Sequence, residues 1–354
     1  MLLTEDQKKI LIEHLVSIYP DISSKNTQFS EILVNDYSFC IEVSSNYHEI
    51  YIKIPKRNQA YKSHKDRTIL PLTTEDINFA KAEYESLKNL FEVFQGFESF
   101  QVIEPIIYIE ELNAIATKKF QGFDFFNEVR KIPFSNESKE GVICKQIVSL
   151  ARSISRISSQ NKYSKQPYNS KKILTKISRY LKEMEEFDFL KNEEYFYTQE
   201  LKPILTNHAN TTIGYKGLDI RNILVNSYGN LCLLDPGKSK EETMEAFFAR
   251  FYATLVIIYW GSPLFIFRFE SFARVCELFL ETIKEDADFD NLIFNFELRK
   301  ELIKHWSLAR RALRFKRFPN CVKKFTRKYY IDRFYLEILK KNKSSLLLES
   351  IKIS

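Results

Sequence analysis

The sequence is poor in glycine, has no closely spaced cysteines and contains no long uninterrupted apolar run. It holds 8 Gly, none before Gly96, which excludes a glycine-rich loop from the N-terminal part. Its 5 Cys lack C-x-x-C spacing, which excludes a disulfide framework and a cysteine zinc site. The most apolar stretch, 246–267, is interrupted by Arg250 and Gly261, and the N-terminus soon turns charged. We therefore expect a cytoplasmic protein without a signal peptide or a membrane span.

Apolar and aromatic residues are plentiful by contrast. Hydrophobic residues make up 44% and charged residues 28% of the 354 positions, with 30 Phe and 19 Tyr. This composition supports a large core and excludes a globally disordered chain. The length suits two lobes better than one small module.

The N-terminal third combines strand-like runs with one long helix. Residues 4–19 have helical apolar spacing, with Thr4 and Gln7 placed as in a capping box, which predicts a leading helix. Lys53 lies on the strand face opposite the alternating isoleucines of 49–54. A basic loop is predicted at 55–67. Strands are predicted at 37–43, 49–54, 102–109 and 114–117, and a helix from Thr73 to about Phe94.

After Gly122 helical spacing dominates, with one short β interruption at 223–225 and 231–234. Helices are predicted at 141–159, 171–186 and 193–207 and onward to the C-terminus. The expected fold class is α+β, with two lobes. A small N-terminal β-sheet lobe with one long helix takes residues 1–118, and a larger, mainly helical lobe takes 119–354.

The segment 215–238 is the most informative part of the sequence. It contains an acidic loop, two short strands joined by a tight turn, and the tripeptide Asp235-Pro236-Gly237. Asn222 opens the first strand and Asp235 ends the second, so their side chains should project from adjacent strand ends towards one point. An amide oxygen and a carboxylate are hard ligands that suit Mg²⁺ on a nucleoside triphosphate.

This segment resembles the catalytic and metal loops of the superfamily of aminoglycoside phosphotransferases, choline kinases and protein kinases. There His-x-Asp-x-x-x-x-Asn precedes a strand, a hairpin and Asp-x-Gly, and Asn222 and Asp235 match the two metal-binding positions. The resemblance implies a strand lysine fixed by a helix glutamate, and Lys53 and Glu83 match that pair. It covers about residues 35–260 and implies a protein-kinase-like fold that binds ATP and Mg²⁺.

The sequence departs from the superfamily pattern in the catalytic loop. Gly217 stands where the general base is expected and Tyr215 where the histidine is expected. Either the loop has shifted so that Asp219 reaches the acceptor hydroxyl, or the base is absent and the protein binds nucleotide without transfer. The missing glycine-rich loop leaves Ser45 and Asn46 as the residues expected to cover the phosphates.

These residues together predict an ATP-dependent phosphotransferase that moves the γ-phosphate to a hydroxyl of a small molecule or glycan. Lys53 and Glu83 are expected to bind the nucleotide, Asn222 and Asp235 the Mg²⁺, and Asp219 to act as the catalytic group. The alternative is a pseudokinase that serves as a binding or scaffold module. Each residue alone has an ordinary structural explanation, and only their order and spacing favour a site.

The basic C-terminal tail, 306–343, is the other unusual feature. It has 13 Lys/Arg against Asp332 and Glu337, a net of +11 in a chain of net +7, so the remainder is acidic. The tail is either a solvated helix face or a surface for an anionic partner. It lacks any named nucleic-acid-binding motif, which favours peripheral contact with an anionic membrane, or an anionic glycan acceptor, over nucleic acid.

Overall fold

The computed structural model describes residues 3–35, 38–55, 74–97, 99–132, 135–160, 164–205, 208–215, 217–237, 239–261, 269–286 and 289–353. Contacts divide the chain into two compact units. The first unit comprises Met1–Asn127 and Tyr215–Lys240, and the second comprises Glu128–Gly214 and Glu241–Ser354. Residues 215–240 thus group with the N-terminal part, while the lobe bounds 1–118 and 119–354 stay predictions.

The first unit contains an antiparallel sheet in the order β1-β3-β4-β7-β6, with β2 also paired to β3. The isoleucines of β4 are buried, and Lys53 between them lies on the other face, as predicted. The six strands are β1 (Gln28–Phe29), β2 (Leu33–Val34), β3 (Ser38–Ser44), β4 (Glu49–Pro55), β6 (Pro105–Ile109) and β7 (Ala114–Lys118).

Two helices of the first unit lie at predicted positions. Helix α1 (Glu5–Val16) has the predicted capping box of Thr4 and Gln7, and its buried Leu11 and Leu15 join the isoleucine core of the sheet. Helix α2 (Thr74–Val93) buries Leu87 and Leu90. The predicted helix start at Thr73 and most of the predicted basic loop lie outside the described residues.

A second sheet of the first unit carries the loops of interest. Its order is β5-β12-β11-β8, with β12 parallel to β5 and antiparallel to β11. The short apolar strands β11 and β12 confirm the predicted β interruption. The strands are β5 (Phe100–Val102), β8 (Phe123–Asp124), β11 (Ile223–Val225) and β12 (Leu231–Leu233).

The second unit is mainly helical. Its long helices bury apolar stripes, and the fully buried Trp306 lies within α9. Helix α3 (Phe125–Arg130) leads into it, and π-helical segments occur at Phe196–Leu201 and Thr326–Asp332. The other helices are α4 (Glu137–Gln160), α5 (Ser170–Glu183), α6 (Phe187–Tyr195), α7 (Met244–Gly261), α8 (Phe269–Asp286), α9 (Asn291–Phe315), α10 (Asn320–Phe325) and α11 (Arg333–Ile353).

The prediction of a single β interruption after Gly122 is wrong. A third sheet orders β9 (Ser164–Pro167), β10 (His208–Tyr215) and β13 (Ser239–Thr243) as β13-β10-β9. In β9 and β10, Ser164 pairs with Thr211 and Pro167 with His208. These strands are polar and are held by partners far away in sequence, so local apolar periodicity does not reveal them. None of the described helices combines the length and the apolar character needed to cross a membrane.

Candidate active site

Lys53 is the centre of a three-residue ion cluster in the first unit. It lies in β4 between β3 and β7, opposite Cys40 and Ile115 in register, which fixes its backbone. Its Nζ lies 2.5 Å from Glu83 Oε1 of α2 and 2.5 Å from Asp235 Oδ2, just beyond β12. The structure therefore brings three of the sequence-predicted site residues into direct contact.

The cluster has one cation for two carboxylates. Burial opposes the charge on Lys53, but Asp235 and Glu83 outweigh it and raise the pKa of Lys53 above its ordinary value. Burial and the Asp235 carboxylate raise the pKa of Glu83 to about 8. Burial also opposes the charge on Asp235, yet Lys53 and hydrogen bonds, one from the Gly237 backbone, lower its pKa. Glu83 is thus the carboxylate that takes up a proton first.

Asn222 lies at the start of β11 because a 3-10 turn, Ile220–Asn222, precedes that strand. The antiparallel pairing places the start of β11 beside the end of β12, and the Leu234 N–H donates to Asn222 O at 2.9 Å. Asn222 Nδ2 donates to Gly217 O at 2.7 Å and to Asp235 O at 3.2 Å. Because Nδ2 is used in this way, Oδ1 is the Asn222 atom that can face a cation.

A tight turn orients Asp235. The Gly237 N–H donates to Asp235 Oδ1 at 3.0 Å, and Gly237 has a left-handed φ of 61°, which glycine adopts without strain. Two residues on, the Ser239 N–H donates to the buried Ser86 Oγ of α2 at 3.0 Å. Helix α2 therefore holds both the glutamate partner of Lys53 and the segment that follows Asp235.

Gly217, at the position of the expected base, packs directly against the Asp235 turn. Its N–H donates to Pro236 O at 2.7 Å. A Cβ placed on Gly217 would lie 2.2 Å from Asp235 O and 2.7 Å from Pro236 C. Atoms of this kind do not approach so closely, so this backbone has no room for any side chain at the position. The absence of the aspartate is therefore built into the local packing.

Asp219 forms a bidentate ion pair with Arg221. Its Oδ1 accepts from Arg221 Nε at 2.9 Å and from the Arg221 backbone N–H at 3.0 Å, and Oδ2 accepts from Nη2 at 2.7 Å. The Asp219 side chain is 10% exposed, against 54% for Arg221. The neighbouring guanidinium therefore holds the candidate catalytic carboxylate in place.

A cavity of about 710 Å³ in the first unit is lined by the ion cluster and by apolar side chains. Its volume is in the range of small-molecule and cofactor sites. Four predicted site residues line it, Lys53, Glu83, Asn222 and Asp235, and so do residues 118–122 at the end of β7 and directly after it. Four of the five predicted site residues thus share one cavity wall, and Asp219 is not among the lining residues.

Sequence reasoning missed the apolar lining of this cavity, which includes Ile103, Ile115, Leu224 and Leu234. In β11 the side chains of Ile223 and Val225 are buried, and that of Leu224, on the other face of the strand, is half-buried. The strand is therefore apolar on both faces, although the Leu224 face is partly exposed. This continuous apolar run in the sequence could have predicted that the second face of β11 lines an apolar cavity. The expectation that Ser45 and Asn46 cover the phosphates stays a prediction. Neither lines the cavity, and the Ser45 N–H donates to His48 O within its own turn.

No protein-family model and no curated protein sequence matches the chain. Solved structures do resemble it in three dimensions. The choline kinase from Cryptosporidium parvum has a TM-score of 0.54 at 11% identity, over 97% of this chain and 97% of that chain. The choline kinase LicA from Streptococcus pneumoniae has a TM-score of 0.50 at 11% identity, over 96% of this chain and 100% of that chain.

A third similar structure is the ternary complex of the aminoglycoside phosphotransferase APH(2″)-IIa with streptomycin and ATP. Its TM-score is 0.50 at 12% identity, over 98% of this chain and 100% of that chain. The fold is therefore kinase-like. The α+β fold class predicted from the sequence is confirmed, while identities this low carry no information on substrate.

Proposed function

We propose that the protein is an ATP-dependent phosphotransferase that moves the γ-phosphate to a hydroxyl of a small molecule or glycan. The observation that carries this proposal is the position of Lys53 Nζ, 2.5 Å from both Glu83 Oε1 and Asp235 Oδ2, on the wall of a nucleotide-sized cavity. Structures that share the fold include choline kinases and a complex containing ATP, which supports this class of activity.

In the proposed mechanism Lys53 contacts the nucleotide phosphates while Glu83 holds its ammonium group. Asn222 Oδ1 and the Asp235 carboxylate fit Mg²⁺, because hard oxygen donors with phosphate and water as further ligands suit this ion. When bound, the ion neutralises charge on the transferred phosphoryl group. We expect Lys53 to keep Glu83 and to exchange Asp235 for a phosphate oxygen when nucleotide binds.

Asp219 is the proposed group that orients or deprotonates the acceptor hydroxyl. Its carboxylate is oriented by the ion pair with Arg221, in the same loop as Gly217 and Asn222. Phosphoryl transfer depends mostly on positioning and charge neutralisation, so a displaced base is compatible with turnover.

The second candidate function is nucleotide binding without transfer, as in a pseudokinase. Two observations favour it: the packing of Gly217 against the Asp235 turn leaves no room for the usual base, and both oxygens of Asp219 are engaged by Arg221. Both functions need Lys53 and Asp235, so they differ only in the chemical step.

The proposed acceptors are sugars of a cell-surface polysaccharide or a lipid-linked glycan, with the protein in the cytoplasm and in part at the inner face of the membrane. The basic tail, 306–343, supports this class because an anionic glycan or membrane complements its charge.

Binding and transfer must be measured separately to distinguish the two functions. Titration with Mg²⁺ and ATP, followed by calorimetry, reports binding, and labelled ATP with a panel of sugars and amino alcohols reports transfer. Lys53→Met should weaken ATP binding at least about 10-fold, since it removes a charged contact to phosphate. The matched control is Lys88→Met on the exposed face of α2. Equal ATP affinity in Lys53→Met and Lys88→Met would contradict the proposal that this cavity binds the nucleotide.

Asp219→Asn then tests the catalytic group, because it keeps the shape of the side chain and removes its basicity. A shifted base predicts a loss of turnover of about 100-fold or more with ATP affinity unchanged. Turnover equal to that of the wild type would show that a group other than Asp219 activates the acceptor hydroxyl. Tight ATP binding without transfer to any acceptor would favour the pseudokinase.

A further inference from the structure

The segment from Arg314 to Arg333 carries a dense positive charge. It contains eight Lys/Arg and a single acidic residue, Asp332. Asp332 Oδ1 accepts from Arg310 Nε at 2.6 Å and from Trp306 Nε1 at 2.8 Å, so its charge is already used within the second unit. Within the part of the chain that the structure describes, acidic side chains form ion pairs with Arg310, Arg311 and Arg333 but with none of Arg314, Lys323, Lys324 and Arg327.

These four cations surround a pocket of about 310 Å³. Arg310 and Leu313 of α9 also line it, and none of the described residues that line it is acidic. Arg310 donates from Nε to Asp332, from Nη1 to the Met184 carbonyl and from Nη2 to Glu186, so each of its nitrogens already has a partner within the second unit. Lys323 Nζ donates to Arg314 O at 3.1 Å and keeps two further N–H donors. With Arg314, Lys324 and Arg327 it makes the pocket suited to a phosphate group.

A row of exposed apolar side chains lies on the same segment. Phe318, Val322, Phe325 and Tyr329 are 51%, 41%, 65% and 55% exposed. The Phe325 and Tyr329 rings contact each other, with centroids 5.0 Å apart. Neither α10 nor the π-helical segment that follows it buries a single residue. A helical element without any buried residue gains no stability from the core, so its apolar groups point to a partner outside the chain.

We propose that this surface, residues 314–333, docks on an anionic phospholipid membrane. The cationic pocket receives a lipid phosphate, and Phe318, Val322, Phe325 and Tyr329 enter the interfacial layer. Cations beside exposed aromatic and aliphatic groups on a helical element are the features that bind helices in the plane of a membrane surface. The surface is independent of the proposed phosphotransferase activity, because none of its residues lines the nucleotide cavity.

Nucleic acid is the other polyanion that such a charge could attract, and the geometry favours lipid over it. Bases stack on open aromatic faces, whereas Phe325 and Tyr329 contact each other and Lys328 lies 5.2 Å from the Tyr329 ring centroid. The aliphatic Val322 in the row offers nothing to a base but gains from leaving water.

The test measures binding of the full chain to vesicles by co-sedimentation. One vesicle set contains phosphatidylcholine and phosphatidylglycerol in equal parts, and the other contains phosphatidylcholine alone. Binding is expected only to the anionic set and should weaken as salt is raised, because screening reduces the attraction of the cations.

Two pairs of variants separate charge from apolar contact. Lys324→Glu with Arg327→Glu should weaken binding at least about 30-fold, since two cations near the anionic surface are replaced by anions. Its control is Lys171→Glu with Lys172→Glu, which reverses the charge of two exposed lysines of α5. Phe325→Ser with Tyr329→Ser should weaken binding about 10-fold. Its control is Phe187→Ser with Tyr195→Ser, an exposed Phe and Tyr of α6.

A second measurement covers the case in which a variant fails to fold. Phe325→Trp should show a shift of tryptophan fluorescence to shorter wavelength when anionic vesicles are added, because the side chain leaves water. The proposal is overturned if the wild type binds both vesicle sets equally or neither. It is also overturned if the controls lose as much binding as the test variants, or if single-stranded RNA binds more tightly than the anionic vesicles.

Discussion

Lys53, Glu83 and Asp235 form an ion cluster in the first unit, and Arg299 and Glu193 form an ion pair in the second. In the pair, one guanidinium contacts both oxygens of one carboxylate and donates to Leu339 O at 2.7 Å. The cluster instead has two carboxylates for one ammonium, and it faces a cavity. The pair has one carboxylate for one cation, whereas the cluster has a second carboxyl group, Glu83, whose pKa of about 8 keeps it mostly protonated near neutral pH.

Exposure separates the two arrangements further. The side chains of Arg299 and Glu193 are 2% and 4% exposed, whereas Asp235 is 35% and Lys53 22% exposed. A buried pair acts on stability, while a partly open cluster with an exposed carboxylate, Asp235, and an exposed ammonium, Lys53, can bind a cation or a phosphate. Mutations in the two arrangements should therefore affect different properties of the protein.

The largest expected effect is on activity and comes from Asp235→Ala. Loss of this carboxylate removes the proposed metal ligand, and phosphoryl transfer should fall by about 1000-fold or more. Stability should change little, since the variant leaves Lys53 paired with Glu83. Steady-state kinetics and denaturant unfolding measure the two properties.

If Asp235→Ala left phosphoryl transfer unchanged and greatly lowered stability, the cluster would be structural, like the Arg299–Glu193 pair, and not a binding site. The control is Asp188→Ala, a carboxylate in the first turn of α6 outside the cluster and the cavity.

The next effect is on stability and comes from Arg299→Ala. It leaves the buried Glu193 carboxylate without its cation, which should lower the free energy of unfolding by about 3–5 kcal/mol. Affinity for ATP should stay the same, because neither residue lines the nucleotide cavity. Denaturant titration with calorimetry of ATP binding checks both statements.

The double variant Arg299→Met with Glu193→Leu tests whether the loss of stability comes from the unpaired charge. It removes both charges and should recover most of the lost stability. If it is as unstable as Arg299→Ala, the loss comes from packing and not from the unpaired charge.

Gly217→Ala gives a smaller effect that connects local packing with function. Its Cβ would lie 2.2 Å from Asp235 O, so the loop must move away from the Asp235 turn. We expect a loss of about 1–3 kcal/mol in stability together with weaker ATP binding.

Gly217→Asp, which restores the residue type usual at this position, should for the same reason lower activity and not raise it. Gly141→Ala, where a Cβ meets no atom within 4 Å, is the control. Higher turnover in Gly217→Asp would show that the loop has room for a base.

The site contains residues that the sequence could predict and contacts that it could not. Lys53, Glu83, Asn222 and Asp235 could be found because regular strands and one helix fix their spacing, and the structure brings them onto one cavity wall. Their roles in binding nucleotide and metal stay predictions. The packing of Gly217 against Pro236 could not be found, since it depends on a contact between two loops.

The same limit applies to the fold. Apolar periodicity predicts α1, α2 and the hairpin of β11 and β12, whose buried faces repeat regularly. The sheet of β9, β10 and β13 was missed because its strands are polar and pair across long stretches of chain. Charged pairs such as Arg299 with Glu193 were missed as well, because a sequence gives no distance between two helices.

Glu245 is a buried carboxylate in the second unit that lacks the balance of the Arg299 pair. Its Oε1 accepts from the Asp290 N–H at 3.1 Å, while Oε2 has no hydrogen-bond partner among the described residues. Burial raises the pKa of Glu245 from 4.5 to about 7. Between these two values the folded protein holds the proton more tightly than the unfolded chain, so stability falls as the pH rises through this window.

Glu245→Gln should remove this dependence and is the smallest effect we expect. The pKa difference limits the gain to about 3 kcal/mol, and an amide hydrogen without a partner would offset part of it, leaving about 1 kcal/mol. The variant should therefore be more stable than the wild type at about pH 8 and no more stable at about pH 5. Denaturant unfolding at both values, with Glu285→Gln on the exposed face of α8 as control, measures it. A difference between variant and wild type that does not change with pH would mean that Glu245 is already balanced in the folded protein, as Glu193 is.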